Sequence, residues 1–302
     1  MALNRTYSII TTCKGRLEHL KQSLPTMLDQ GALEVVAVDY SCPDRTGDYV
    51  AANFPTVRVV RVPGQATFSN WRARNAGAAE AQGQVLVFCD ADTLLATDAL
   101  QQLDAALPLR SFGFLTRQHT EQFNKTARRL GANQLRGFHV VPNAAFRRLG
   151  GYDEVLEGYA AGGDTDLEER LFMLGLKNFP LEPDIVADVI QHDDQARTRH
   201  HIDPIPVSYS AGLLYRTAKS NLLKIRRRLN FPLEFRRSLY DNALIAARKL
   251  ADQDKVALNL KVFEMAAGMP LQLGFRKAGL KVTMTVEIEG QNRIEEVPEF
   301  NG

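Results

Sequence analysis

Short apolar runs alternate with amphipathic segments through the first third of the chain. Residues 7–12, YSIITT, are β-branched and apolar, the pattern of a buried strand. Residues 16–30 then place Leu17, Leu20, Leu24 and Leu28 at helical spacing, and Pro25 is expected to kink or split that helix. Residues 34–38, EVVAV, predict a second strand, and YSCPDRTG after it a loop. Residues 45–54 suit a short helix and 57–62, VRVVRV, a third strand. The Ala-rich segment 69–82 predicts a helix capped by Ser69 or Asn70 and ended by Gly83. QVLVFC (84–89) is the most apolar strand of the set, and a helix over 97–107 follows it.

Strand and helix thus alternate four times, with strands apolar on both faces. That pattern belongs to an α/β fold, a mostly parallel sheet flanked by helices. Ligands bind such sheets beyond the carboxyl ends of the strands. The polar residues there are Thr11, Thr12 and Cys13, then Asp39 and Tyr40, then Asp90 and Asp92. The middle of the chain is mixed, with possible strands at 112–116 and 138–142 and a helix over 164–174 that opens on acids. From 205 to 265 the pattern is mostly helical, and KVTMTVEIEG (281–290) alternates as an edge strand or hairpin. The expected division is a catalytic domain over 1–205 and a mainly helical C-terminal region over 206–302, ending in a strand pair.

Composition narrows the partners. The 302 residues carry 37 Lys and Arg against 35 Asp and Glu, so a net charge of +2 gives no global attraction to nucleic acid. No apolar run approaches the ~18 residues of a spanning helix, and MALNRTYSII lacks a signal-peptide core. Cys13, Cys42 and Cys89 are odd in number and widely spaced, which argues against a disulfide framework or a cysteine zinc site and makes a reducing cytoplasm the default.

Four constellations can carry chemistry. Asp90-Ala91-Asp92 ends a buried strand. In extended backbone its two carboxylates point the same way and can serve one hard cation, or Asp92 with Thr93 simply caps the next helix. Gly162-Gly163-Asp164-Thr165-Asp166-Leu167-Glu168 opens a helix on acids that its dipole favours with or without a catalytic role. His192, in VIQHDDQARTRHH, is either a metal ligand or part of a polar surface loop. Arg74-Asn75, in WRARNAG, offers a guanidinium for phosphate or carboxylate, or lies on a solvated helix face.

Taken in order, SIITTCKGR (8–16), VVAVDYSCPD (35–44), WRARNAGAAEAQGQVLVFCDADT (71–93), GGYDE (150–154) and GGDTDLEERL (162–171) resemble family 2 glycosyltransferases of the GT-A fold, over roughly residues 7–200. GGYDE followed by GGDTDL is similar to the galactosyltransferase-like and chondroitin-polymerase-like members. The resemblance implies a Rossmann-like GT-A sheet and an inverting transfer of sugar from a nucleotide-diphosphate donor, usually a UDP-sugar, to a glycan or polysaccharide hydroxyl. It implies that Thr11, Thr12 and Cys13 line the base pocket, that Asp39 beside Tyr40 hydrogen-bonds the base, and that Arg74 reaches the nucleotide side of the donor. Asp90, with Ala91, would hold the ribose or the metal shell. Asp92 would bind Mn²⁺ or Mg²⁺, with His192 as a further ligand, and Asp164 would be the general base. Two departures stand out: Tyr40 replaces a second acid found in many members, and Gly163 replaces the Glu of the usual Glu-Asp pair.

Residues 211–240 carry eight cations (Arg216, Lys219, Lys224, Arg226, Arg227, Arg228, Arg236 and Arg237) against one acid, Glu234. Interleaved apolar residues make this a solvated helix face, a peripheral contact with an anionic membrane leaflet, or a receptor for an acidic glycan. No recognition motif for nucleic acid accompanies the charge. Two other functions share parts of the pattern. A nucleotidyltransferase would need a better phosphate loop than TTCKGR, and a non-catalytic glycan-binding relative would have little reason to keep Asp90, Asp92 and Asp164 together.

Overall fold

The computed structural model describes residues 3–114, 137–158, 161–181, 185–190, 199–251, 255–267 and 278–289. In chain order the first elements are β1 (Tyr7–Cys13), α1 (Leu17–Leu28), β2 (Glu34–Asp39), α2 (Thr46–Asn53), β3 (Arg58–Arg61), α3 (Asn70–Glu80), β4 (Val85–Cys89), β5 (Thr93–Leu95) and α4 (Ala99–Ala106). They are followed by β6 (Ser111–Phe114), β7 (Phe138–Pro142), α5 (Asn143–Leu149), α6 (Gly163–Met173), β8 (Lys177–Asn178) and β9 (Val186–Val189). The last are α7 (Ile205–Arg226), α8 (Leu233–Arg248), β10 (Lys255–Ala267) and β11 (Ala278–Glu289).

The described strands form a seven-stranded sheet in the order β3-β2-β1-β4-β7-β6-β8. The first four are parallel, as the strand–helix alternation predicts, and β7 turns antiparallel against both β4 and β6. β1 and β4 are buried at every position, which is why both read as uninterrupted apolar runs. One face of the sheet packs Ile9, Val35 and Val87 against Leu20, Leu24 and Met27 of α1. On the other face α3 approaches so closely that a Cβ on Gly77 would lie 2.6 Å from Ile10 and 2.8 Å from Val38. α1 runs through Pro25 as one element instead of splitting there. Burial of Leu20, Leu24 and Met27, at ~1.5–3 kcal/mol each, offsets the ~3 kcal/mol of an internal proline. The Ser69 side chain caps α3 as predicted, accepting from the Arg72 N–H, but the helix ends at Ala81, ahead of Gly83.

By contacts the described residues fall into two units, one within Met1–Glu154 and Gly163–Ile202, the other within Val155–Gly162 and Asp203–Glu295. The second unit packs α7 on α8, with Tyr215 edge-on to Tyr240 at 5.6 Å. β10 and β11 pair antiparallel, and β11 covers the stretch read as a strand. The helical reading of 205–265 is corrected at its end, because residues from Lys255 onward are strand. Val256, Leu258 and Val262 are buried there while Ala257, Asn259 and Lys261 are exposed, a period of two that a helix does not produce. Among the described residues, no helix is long and apolar enough to cross a membrane.

Candidate active site

The turns after β1, β2 and β4 open on the same sheet edge, and α3 and α6 add one side chain each. At the end of β1, Thr11, Thr12 and Cys13 are buried. The Thr12 hydroxyl donates to Asn70 Oδ1 at 3.1 Å, whereas the buried Thr11 hydroxyl has no hydrogen-bond partner among the described residues. Lys14 ties the turns together, donating to the carbonyls of Tyr40, Ser41 and Gln65 at 3.2, 3.1 and 2.6 Å. Asp39 turns inward on its own loop. Its two oxygens accept the N–H of Cys42 at 2.7 Å and of Gly47 at 2.6 Å. Tyr40 is buried, donates to Gln65 Oε1 at 3.2 Å and stands edge-on to Phe68. Three buried groups meet beside it. The Thr46 hydroxyl lies 3.3 Å from Cys13 Sγ and donates to Cys42 Sγ at 3.0 Å. The Cys13 thiol, helped by Thr46 and the Gly15 N–H, pulls the Cys42 thiol down to about 5, while Cys13 itself is pushed up.

Arg74 is the centre of the second group. It projects from α3 and is wholly buried. Its Nη2 donates to Asp90 Oδ1 at 2.7 Å and its Nη1 to Asp164 Oδ1 at 3.2 Å. The same Nη1 lies 3.2 Å from the Tyr152 hydroxyl and 3.1 Å from His139 Nδ1. Trp71, Phe88 and Tyr152 present their rings 5.8, 5.7 and 5.5 Å from the guanidinium, so the desolvated cation faces π-density as well as carboxylates. Burial works against its charge, but Tyr152, Asp90 and Asp164 outweigh burial and hold the guanidinium above its ordinary range. Burial also pushes Tyr152 up, keeping its hydroxyl neutral and able to donate. His139, on β7, brings Nδ1 to 3.1 Å from Asp164 Oδ1 and 2.9 Å from the Tyr152 hydroxyl. Its tautomer decides whether that nitrogen donates to the carboxylate or accepts from a neighbour.

The acidic pair after β4 is split between two arginines. Asp90 lies on Arg74, and Asp92, nearly buried, accepts from Arg16 Nη1 at 2.8 Å. Burial is the main reason the Asp90 carboxyl is raised, with the charge of Asp92 adding to it and Arg74 opposing. Ala91 is buried between them, and its carbonyl accepts from Ser23 of α1 at 2.7 Å, anchoring the turn to the helix. Two hard carboxylates at a strand end suit Mn²⁺ or Mg²⁺ when phosphate oxygens and water complete the shell. Among the described residues no group of three or more His, Cys, Asp or Glu is placed to hold a metal. His192 lies outside the described residues.

The acidic helix opening serves two ends. Asp164 keeps 29% of its side chain exposed. Asp166, two residues on, is buried and takes Arg170 at 2.7–2.8 Å, and Arg170 in turn donates to the carbonyls of Leu149 and Gly151. That ties α6 to the turn at Gly150 and Gly151, whose φ of 74° only glycine adopts freely. Gly163 also has its reason, since a Cβ there would run into the Trp71 ring. The indole occupies the space that a Glu side chain at this position would need.

The structure therefore joins Arg74, Asp90 and Asp164 in one cluster and sets Asp92 beside it on Arg16. It buries Tyr40 and Ala91 and closes Asp39 into a turn. Sequence reasoning missed His139, Tyr152, Trp71 and Arg16. Arg16 and Trp71 stand inside quoted motifs, but His139 sits in an apolar strand with nothing local to mark it.

The family model described as Glycosyl transferase family 2 matches residues 8–108. No protein with a curated description matches the chain. Among solved structures, the mannosyltransferase PcManGT from Pyrobaculum calidifontis, in complex with GDP-Man and Mn²⁺, is similar with a TM-score of 0.50 at 17% identity, over 82% of this chain and 74% of that one. GalNAc-T7 with UDP, GalNAc and Mn²⁺ is similar with a TM-score of 0.51 at 15% identity, over 79% of this chain and 54% of that one. At these identities the likeness is one of fold. Residues 8–108 thus match the family 2 glycosyltransferase model, and the fold that carries them is similar to that of GT-A glycosyltransferases.

Proposed function

We propose that the protein is an inverting, divalent-metal-dependent glycosyltransferase that moves a sugar from a nucleotide-diphosphate donor, a UDP-sugar first, to a hydroxyl of a glycan or polysaccharide. The observation that carries this reading is the Arg74 bridge between Asp90 at a strand end and Asp164 at a helix start, at 2.7 and 3.2 Å. It brings a strand-end acid and a partly exposed carboxylate into one cluster, so that a metal-binding group and a proton acceptor can face one donor–acceptor pair.

The chemistry follows from the residues. Arg74 donates to one oxygen of Asp164, with His139 Nδ1 3.1 Å from the same atom, which leaves the other oxygen for an acceptor hydroxyl. Asp164 then takes the acceptor proton as the new C–O bond forms, a contribution of roughly 10²–10⁴ in rate. Attack from the side opposite the leaving group inverts the anomeric centre, and no covalent nucleophile takes part. Asp92 and Asp90 would hold Mn²⁺ or Mg²⁺, which when bound stabilises the charge that develops on the departing diphosphate. The buried Thr11 hydroxyl, with no partner among the described residues, is a candidate to meet the base, because a polar atom buried without a hydrogen bond is costly. Arg74 acts here by holding the two acids in place beside the donor. The nucleotide and Mn²⁺ bound in the two fold neighbours agree with this donor class and metal.

The test is a screen of UDP-, GDP- and other nucleotide sugars, scored by release of free nucleotide. Turnover is expected with Mn²⁺ or Mg²⁺, to vanish in excess EDTA, and to vanish in a folded Asp92→Ala variant. Full turnover in EDTA overturns the metal, and the absence of release from every donor overturns the enzyme.

A further inference from the structure

We propose that the corner where α7 hands over to α8 docks the protein on an anionic lipid surface. This corner lies wholly within the second unit.

α7 ends at Arg226, and Arg227 closes it in the left-handed conformation with φ 50°. α8 begins at Leu233. Between Lys224 and Arg237 lie six cations and a single acid, Glu234. Two of the cations have internal work: Arg226 donates to the Val262 carbonyl and Arg236 to the Phe231 carbonyl. The other four, Lys224, Arg227, Arg228 and Arg237, are exposed, and none pairs with a carboxylate among the described residues. Cations at a helix C-terminus complement its dipole, which accounts for Lys224, Arg227 and Arg228 locally. It does not account for Arg237, which lies on the next helix.

Nor does it account for what is exposed beside them. Ile225, Leu233 and Phe235 are 59%, 41% and 43% exposed. Half-buried Phe231 packs against exposed Phe235 with ring centroids 4.8 Å apart and planes tilted by 52°. An acidic glycan in solution would use the cations but leave three apolar side chains in water. A lipid surface takes both: headgroups neutralise the cations while the apolar tips enter the acyl boundary. Long Lys and Arg stems also allow their charges to stay at headgroup level.

The experiment is sedimentation of the full-length protein with vesicles of phosphatidylcholine alone, or of equal parts phosphatidylcholine and phosphatidylglycerol, and in parallel its binding to heparin as a soluble polyanion. Binding is expected to the anionic vesicles, weakly or not at all to the neutral ones, and to fall as salt shortens the reach of charge. Replacing Lys224, Arg227, Arg228 and Arg237 together with Gln should weaken vesicle binding about tenfold or more. A second variant, Ile225→Ser with Leu233→Ser and Phe235→Ser, should weaken vesicle binding while leaving heparin binding as it was. All substituted side chains are exposed, so circular dichroism should match wild type. Heparin binding as tight as vesicle binding, with no loss in the apolar variant, assigns the corner to acidic glycan and overturns the proposal; so does wild-type protein that ignores anionic vesicles at low salt.

Discussion

Arg74 shows how one residue sets the terms for its neighbours. It sits among three aromatic rings and reaches two carboxylates that would otherwise repel each other in a partly dry site. As the proposed base, Asp164 is the acid whose replacement should separate chemistry from binding. Asp164→Asn keeps the shape and a hydrogen-bonding oxygen for Arg74 but cannot take a proton. Turnover is expected to drop by about a hundredfold or more, with donor affinity within a few fold, as measured by steady-state kinetics beside donor titration. Loss of affinity with turnover intact would make Asp164 a binding residue.

At the scale of elements, the site depends on how closely α3 lies on the sheet, because Trp71, Arg74 and Asn75 all project from it. Asn75 adds a clamp, donating to the Tyr152 carbonyl at 3.0 Å and to Glu154 Oε1 at 2.7 Å while accepting the Tyr152 N–H. Gly77 permits the approach. An alanine there gains up to ~1 kcal/mol of helix propensity but meets Ile10 and Val38, both core side chains with no room to move. Overpacking of that kind costs ~1–3 kcal/mol. Gly77→Ala is expected to lower the midpoint of thermal unfolding by several degrees and, by lifting α3, to reduce turnover as well. A midpoint at or above wild type would mean that the helix tolerates the displacement.

For the whole molecule, a ligand that binds only the folded chain stabilises it by mass action, by ~2.7 kcal/mol at a hundred times its Kd. UDP with Mn²⁺ should therefore raise the unfolding temperature of the full chain, and EDTA should remove most of that rise. With Asp92 held by Arg16 in the free protein, Mn²⁺ without nucleotide should give much the smaller shift. Equal shifts from the metal alone and from the pair would mean that the protein supplies a complete shell by itself.

Much of the fold was legible in the sequence because it rests on local pattern. Short runs rich in β-branched and apolar residues, such as YSIITT and VLVFC, read as strands covered on both sides, and Asp90 and Asp92 follow the second of them at the sheet's carboxyl edge. The ordered motifs carried Arg74, Asp90, Asp92 and Asp164 as candidates. What they do to one another was decided by tertiary structure. That Arg74 is buried and bridges two acids depends on residues 16 and 90 positions away, which no local spacing encodes. His139 joined the site only because β7 pairs antiparallel with β4 and sets it beside Phe88. Asp166, alike to Asp164 in sequence, became structural because one turn of helix aims it at Arg170 in the interior. Local pattern is written in the chain because it follows from periodicity and burial; the division of labour among like charges is not, because it depends on which of them the packed fold removes from water.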